Sequence, residues 1–362
     1  MNIKSLLLGS AAALVAVSGA RAADAVVAPE PEPVEYVRVC DTYGAGFYYI
    51  PGTEVCIKIG GYVRYDIGVG DLFGDTSDSG DDTYHKRGRF ALRVNAKTET
   101  ELGTLEGKAQ VKFNWQNVNS GTPDWNAAYS SGLERAWVKL GGLMIGVEDS
   151  NFVTWTGYAS GVVNDGLIPY GPFTTHQISY TFDAGNGFSV MAGVEEGSTG
   201  DSAYDEGTGT IQDYTPHVVA GAAYKTGMFG LSAVGAYDSV QEEFAVKGRL
   251  DVTPNDMFSF FVMGAYTDDD DNNGGNYYAT WGGDWAIWAG GAVNVNDRIT
   301  LNAEFGYNDF SDWSADADVN IVVVPGFVVT PGIGFRHGDG NALSAIPAGD
   351  NWGGYLRTQF TF

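Results

Sequence analysis

The stretch that decides the fold is Leu105–Gln116, which reads LEGKAQVKFNWQ. Every second residue in it is charged or carries an amide, and the residues between are Leu, Gly, Ala, Val, Phe and Trp. Side chains alternate between the two faces of a β-strand, so one face of this segment is polar and the other is apolar. Arg87–Lys97 shows the same alternation, interrupted only at Ala91. A turn at Glu101–Gly103 joins the two segments, which predicts a β-hairpin with one polar face that contacts water and one apolar face.

Working outward from this hairpin, strand-like segments follow one another along the chain without a helical period of useful length. Many of them are close to the ~9–11 residues that a tilted transmembrane strand requires. The sixteen candidates are 57–69, 87–98, 104–116, 133–140, 143–149, 176–184, 187–196, 216–226, 228–238, 241–253, 257–267, 283–294, 298–308, 315–325, 327–337 and 352–362.

The connections between these candidates alternate in length. One set is tight and rich in turn residues, as at Gly141-Gly142 and Pro325-Gly326, whereas the other contains long polar segments such as 70–86, 117–132 and 149–175. Turns at one end and loops at the other are typical of an outer-membrane barrel, and closure leaves no unpaired edge in lipid. We therefore predict an all-β fold, a 16-stranded antiparallel transmembrane β-barrel with short periplasmic turns and long external loops.

The two ends of the chain support export to a bacterial outer membrane. Residues 1–22 combine Lys4, an apolar run and a small-residue cleavage site, which predicts a signal peptide. The Pro- and acid-rich stretch that follows predicts an extended lead-in over 23–56, before a barrel over 57–362. The last strand alternates and ends on Phe360 and Phe362, which resembles the C-terminal signal that the barrel assembly machinery recognises.

Composition excludes several functional classes. The formal net charge of −25 argues against nucleic acid as a partner and favours cations in a passive pore, although local charges can override the total. A mean hydropathy of −0.12 is too polar for a helical membrane protein but suits a barrel in which polar and apolar faces cancel. No cofactor is expected.

The two cysteines, Cys40 and Cys56, predict a structural disulfide, because an exported chain reaches an oxidising compartment. A metal pair or a catalytic thiol is the alternative, but no Cys or His at ligand spacing supports a metal site. Asp269–Gly274 matches only the start of a calcium-binding loop, since position twelve is Thr280 instead of Glu. We interpret it as a solvated acidic loop, with cation bridging to lipopolysaccharide as the alternative.

Three motifs resemble a known family. Tyr36-Val37-Arg38-Val39-Cys40-Asp41, Gly60-Gly61-Tyr62-Val63-Arg64-Tyr65-Asp66 and Val324-Pro325-Gly326-Phe327 are similar to the alphaproteobacterial general porins, of the Omp2 type found in Brucella. The likeness covers essentially the whole chain, signal peptide included. It implies a homotrimer of sixteen-stranded barrels in outer-membrane lipid and lipopolysaccharide, passing small hydrophilic solutes and ions, with the third external loop folded inward to narrow each pore.

The residues expected to line the narrowest point carry opposite charges. The candidate loop acids are Glu148, Asp149 and Asp165, because the longest internal connection follows the fifth strand as the constriction loop does in that family. A candidate basic wall comes from the polar faces of the first four strands, and its members are Arg64, Arg87, Arg89, Arg93, Lys108, Lys112 and Arg135. Acids facing such a wall would set a transverse field that favours polar, hydrated solutes.

Two other functions remain open at this point. A hydrolase is disfavoured because the sequence contains neither HExxH nor GxSxG. A non-conducting adhesive barrel is disfavoured because a plugged scaffold has no need of a basic lumen face. Interfacial aromatic girdles are expected to draw on Trp115, Trp285, Trp288, Trp313, Tyr62, Tyr65, Tyr224 and Tyr237.

Overall fold

A computed structural model describes residues 38–74, 83–118, 126–198, 209–211, 213–268, 275–341, 344 and 346–362. The predicted signal peptide, residues 23–37 of the lead-in and Asp269–Gly274 lie outside these residues. No helix in the described part of the chain is long and apolar enough to cross a membrane.

A two-residue strand, β1, precedes sixteen longer strands that close into a barrel. Each of β2–β17 pairs antiparallel with the next, and β17 pairs with β2 to complete the ring. The strands are β1 Tyr48–Tyr49, β2 Cys56–Val69, β3 His85–Thr100, β4 Gly103–Val118, β5 Asn126–Leu140, β6 Leu143–Asp149, β7 Thr174–Asp183, β8 Phe188–Ser198, β9 His217–Lys225, β10 Phe229–Asp238, β11 Glu243–Asn255, β12 Phe258–Thr267, β13 Trp285–Asn296, β14 Ile299–Asn308, β15 Trp313–Val324, β16 Phe327–Gly338 and β17 Gly349–Thr361. Single helical turns occur at Asp41–Tyr43, Gly70–Phe73 and Asn151–Thr154.

The predicted alternation of polar and apolar residues places apolar side chains on the outside of the barrel and polar side chains in the lumen. On β4, Phe113 and Trp115 point outward and are 49% and 58% exposed, whereas Gln110 points inward and is 2% exposed. The same division runs round the ring, because closing the sheet satisfies every strand edge while giving the polar faces a lumen. All sixteen predicted strands are present, and the predicted barrel is confirmed.

One strand begins well before its predicted start. The sequence placed the fifth strand at 133–140, but β5 begins at Asn126. A bulge explains the difference, because Gln110 pairs with Arg135 while Val111 pairs with Leu133, so Glu134 is an extra residue. The bulge shifts the alternation by one residue, and a pattern with a strict period of two therefore stops there.

Short turns lie at one end of the barrel and the loops at the other. The turns are 101–102, 141–142, 184–187, 226–228, 256–257, 297–298 and 325–326. Positive φ angles at Gly103 (106°) and Gly326 (83°) explain why glycine occupies these turns. At the opposite end, 239–242 and 309–312 are the two short connections.

The disulfide-bonded segment before the barrel, residues 40–56, contacts β2 and β3. Cys40 and Cys56 form the predicted disulfide, with 6.0 Å between their Cα atoms, and both are 1% exposed. Phe47 packs beside them, and the amino group of Lys97 lies 5.8 Å from its ring centre. The disulfide prediction is confirmed, and neither a metal pair nor a free thiol is present here.

Candidate functional site

The loop between β6 and β7, residues 150–173, lies inside the barrel, and we call it the inserted loop. Its backbone is bonded to side chains on distant strands, since Trp288 Nε1 donates to the Ile168 carbonyl at 3.0 Å and Lys247 Nζ donates to the Tyr170 carbonyl at 2.6 Å. Asp318 on β15 accepts from the Val163 amide at 2.8 Å. These contacts hold the far half of the loop against β11, β13 and β15.

A buried carboxylate fixes the beginning of the inserted loop. Glu195 on β8 accepts hydrogen bonds from the Ser150 hydroxyl (2.7 Å), the Asn151 amide (2.7 Å), the Asn151 side chain (3.0 Å) and the Tyr278 hydroxyl (3.1 Å). Ser150 also caps the helical turn Asn151–Thr154. One carboxylate thus joins β8, the inserted loop and the connection between β12 and β13, which is an arrangement that strand alternation does not reveal.

Two of the three candidate loop acids lie in a strand. Glu148 and Asp149 are the last residues of β6, because the ladder with β7 continues to the pair formed by Asp149 and Thr174. Both acids bind Arg135 of the adjacent strand, at 2.7 Å for Glu148 and 2.5 Å for Asp149. They therefore neutralise part of the basic wall instead of facing it across the lumen.

Asp165 does lie in the inserted loop. It accepts from the Tyr170 hydroxyl at 2.8 Å. Burial raises the pKa of Asp165 to about 6, although the hydrogen bond from Tyr170 acts in the opposite direction. Its charge therefore changes just below neutral pH.

The acidic side of the lumen is supplied mainly by β14 and β15, which the sequence analysis missed. Glu304, Asp316 and Asp318 point inward and are almost fully buried. Asp318 accepts from Asn302 at 2.7 Å, and Tyr355 donates to Asp316 at 2.6 Å. The β15 stretch SADADVN alternates with Asp316 and Asp318 on one face, and this pattern in the sequence could have predicted the acidic side.

The basic wall predicted from the sequence lines the lumen on β2–β5, but most of its charge is paired. Arg87 binds Asp66 at 2.8 Å, and Arg357, which the sequence analysis did not single out, binds the same acid at 2.6 Å. Lys112 pairs with Glu134, and Lys108 lies 3.9 Å from Glu148. Among the described residues, no carboxylate lies within 4.0 Å of the wall members Arg64, Arg89 and Arg93.

Two expected girdle residues also point inward. Trp288 is fully buried beneath the inserted loop, and Tyr62 is 4% exposed on the lumen side of β2. By contrast, Trp285 is 36% exposed on the outer face, where its ring packs 5.7 Å from Tyr307. The division follows strand parity, which assigns Trp285 and Trp288 to opposite faces of β13.

Titration of Asp165 gives a testable pH dependence. As the pH falls through about 6, the carboxylate is protonated, so the channel's preference for cations over anions should fall. The folded-state pKa lies above the ordinary value of 3.8, so the folded protein retains a proton that the unfolded chain loses. The contribution of this group to the free energy of unfolding therefore falls as pH rises from about 4 to about 6.

Reversal potentials across a KCl gradient between pH 5 and 8 measure this effect. Asp165→Asn should remove the step near pH 6 and give the low-pH selectivity throughout. Asp297→Asn, at an exposed turn, should leave the step in place. A step that survives unchanged in Asp165→Asn would show that other carboxyl groups produce it.

Comparison with known proteins agrees with this geometry. A family model described as Porin subfamily matches residues 24–357. Porin Omp2b of Brucella neotomae and that of Brucella melitensis biotype 1 are each 46% identical over 370 residues, covering 100% of both chains. The chain also resembles the outer membrane channel DcaP of Acinetobacter baumannii, with a TM-score of 0.64 at 17% identity, over 87% of this chain and 99% of that one. An anion-selective porin from Comamonas acidovorans has a TM-score of 0.52 at 13% identity, over 85% and 100% of the two chains, and these structural likenesses concern the fold alone.

Proposed function

The chain belongs to the porin family and forms a passive diffusion channel of the Gram-negative outer membrane, and from this premise we propose how its lumen selects solutes. The passage runs between the inserted loop and the basic wall, and small hydrophilic solutes and ions cross it in water. Opposite charges on its two sides orient polar solutes and disfavour apolar ones. Membership of a channel family implies a non-enzymatic role.

The observation that carries this proposal is the attachment of the far half of the inserted loop to one side of the lumen, through Lys247, Trp288 and Asp318 on β11–β15. In the near half, Tyr158 donates to Asp149 at the end of β6. Arg64 and Arg89 lie on β2 and β3, outside that set of contacts. The open part of the lumen therefore borders the basic wall, with the acids of β14, β15 and the loop on its other side.

We further propose that the short turns face the periplasm, that residues 1–22 are removed on export and that three copies form a homotrimer. The family likeness supports the trimer. Phe360 and Phe362 are about half exposed on the outer face of the last strand, which fits recognition by the barrel assembly machinery. The apolar outer faces of the strands suit contact with lipid and lipopolysaccharide.

Liposome swelling tests the proposed function. Vesicles that contain the refolded protein should swell in isotonic solutions of small uncharged sugars, at rates that fall steeply as the sugar becomes larger. Heat-denatured protein provides the control for vesicle leakage. Folded protein that admits no sugar of any size would favour the alternative, an adhesive barrel that does not conduct.

A further inference from the structure

Three arginines of the basic wall lie side by side, and no carboxylate of a described residue lies within 4.0 Å of them. Arg64 and Arg89 are directly opposed across the ladder of β2 and β3, and Arg93 lies four residues further along β3, on the same face. Like charges directly opposite each other destabilise a pair of strands. The barrel nevertheless keeps both guanidinium groups on the lumen side, so their repulsion requires an explanation.

Amide side chains hold each of these guanidinium groups in place. Arg64 Nε donates to Gln359 Oε1 at 2.8 Å, Arg89 Nε donates to Asn114 Oδ1 at 2.6 Å, and Arg93 Nε donates to Gln110 Oε1. The partners are neutral acceptors, so they fix the positions without cancelling the charge. In each case the bond uses Nε instead of the paired Nη groups.

An aromatic ring organises two of the three groups further. Tyr62 lies between Arg64 and Arg93, whose guanidinium carbons are 4.6 Å and 5.3 Å from the centre of its ring. Tyr62 is 4% exposed, so the ring is a fixed platform. Stacking on an aromatic face and bonding through Nε restrict the motion of these guanidinium groups before a ligand arrives. The entropy cost of binding a ligand is therefore smaller.

The other cations of the wall are arranged differently. Lys108, Lys112, Arg87 and Arg135 each have a carboxylate within 4.0 Å. Within the basic wall, positive charge without a nearby carboxylate of a described residue is therefore concentrated at the three arginines, in a chain whose total charge is −25. Such a local cluster can attract anions in spite of the overall sign.

We propose that Arg64, Arg89 and Arg93, which we call the arginine cluster, form a binding site in the pore for dianions of the phosphate class, namely inorganic phosphate and phosphate monoesters. The guanidinium fork donates two parallel hydrogen bonds to such an oxyanion, which a spherical anion cannot accept in the same way. A dianion also offsets the repulsion between Arg64 and Arg89. This proposal rests on the proposed function, because the site is reached through the open lumen.

Phosphate block of the KCl current tests the proposal. Wild-type channels in a planar bilayer at pH 8 should lose current as inorganic phosphate is added at constant ionic strength, and sulfate and chloride serve as comparison anions. Arg89→Gln should raise the half-blocking phosphate concentration by about tenfold or more, since a charge-assisted hydrogen bond pair is lost. Lys139→Gln removes one cation elsewhere on β5 and should leave the block unchanged.

Arg89→Lys separates geometry from charge. It keeps the positive charge but lacks the fork, so the reversal potential in KCl should stay at the wild-type value while phosphate block weakens as in Arg89→Gln. Equal phosphate block in wild type, Arg89→Gln and Lys139→Gln would overturn the proposal, as would open channels that phosphate does not block at all. Failure of the proposed function itself is a different result, because no current would then be seen in any salt.

Discussion

Replacing Glu195 with alanine is expected to lower the free energy of unfolding by about 3–5 kcal/mol, one of the two largest effects that the structure predicts, because several buried donors lose their acceptor. Glu195 is 2% exposed and accepts four hydrogen bonds from Ser150, Asn151 and Tyr278. Alanine would leave those donors buried without an acceptor, and each such donor costs about 1–3 kcal/mol before the site relaxes. The first turn of the inserted loop should also lose its attachment to β8, so the open-channel current should become noisier.

Urea unfolding of the refolded protein measures the change in stability, and single-channel recording measures the change in current. Glu195→Gln keeps the side-chain volume and one acceptor oxygen, so its loss of stability should be the smaller of the two. Glu101→Ala, at an exposed short turn, is the matched control and should behave as wild type. If Glu195→Ala unfolded at the same urea concentration as Glu101→Ala, the assigned role of this carboxylate would be wrong.

Trp288→Ala should destabilise the barrel by about 3–5 kcal/mol and also raise its conductance. The indole of Trp288 is fully buried, packs 6.4 Å from the ring of Tyr170, and donates to the carbonyl of Ile168. Removing it leaves a cavity behind the inserted loop and frees the loop from β13. The loop can then move into this cavity, away from the basic wall, which widens the narrowest section of the pore.

Two further variants separate packing from hydrogen bonding. Trp288→Phe retains most of the buried area and loses only the N–H donor, so we expect a loss of about 1–3 kcal/mol and a conductance near that of wild type. Trp115→Ala removes an indole of the same size from the outer face, where it is 58% exposed. A conductance change in Trp115→Ala equal to that in Trp288→Ala would contradict the role given to the inserted loop.

The barrel itself was predictable because side chains on its strands alternate between the lumen and the lipid with a period of two residues. On β3 and β4, one face must meet water and the other hydrocarbon, so Arg89 and Phe90, or Lys112 and Phe113, alternate without ambiguity. The same period failed at Glu134, where a bulge puts two successive polar residues toward the lumen. Single-sequence alternation cannot anticipate a bulge, since its cause lies in the pairing with Gln110 and Val111 of the neighbouring strand.

The inserted loop was only partly predictable. The connection was predicted at 149–175 and lies at 150–173, but its path depends on tertiary contacts, such as those of Lys247 and Trp288 with backbone carbonyls. Those contacts carry no periodic signal. For the same reason, the sequence did not reveal that Glu148 and Asp149 pair with Arg135 on their own side of the lumen.

The acidic side of the lumen was missed for a different reason. Asp316 and Asp318 alternate with alanine and valine along β15, so the pattern that identified the basic wall was present there too. What sequence alone does not supply is which strands face each other across the barrel. Closure through β17 and β2 fixes that arrangement.

Single-channel conductance of the refolded protein, without residues 1–22, tests the central claim most directly. A passive porin pore should give large, long-lived current steps in KCl, grouped in threes if the channel is a trimer, with a reversal potential that changes near pH 6 in wild type and not in Asp165→Asn. Protein that is shown to be folded, and yet produces no current steps under these conditions, would contradict the account of an open lumen between the inserted loop and the basic wall.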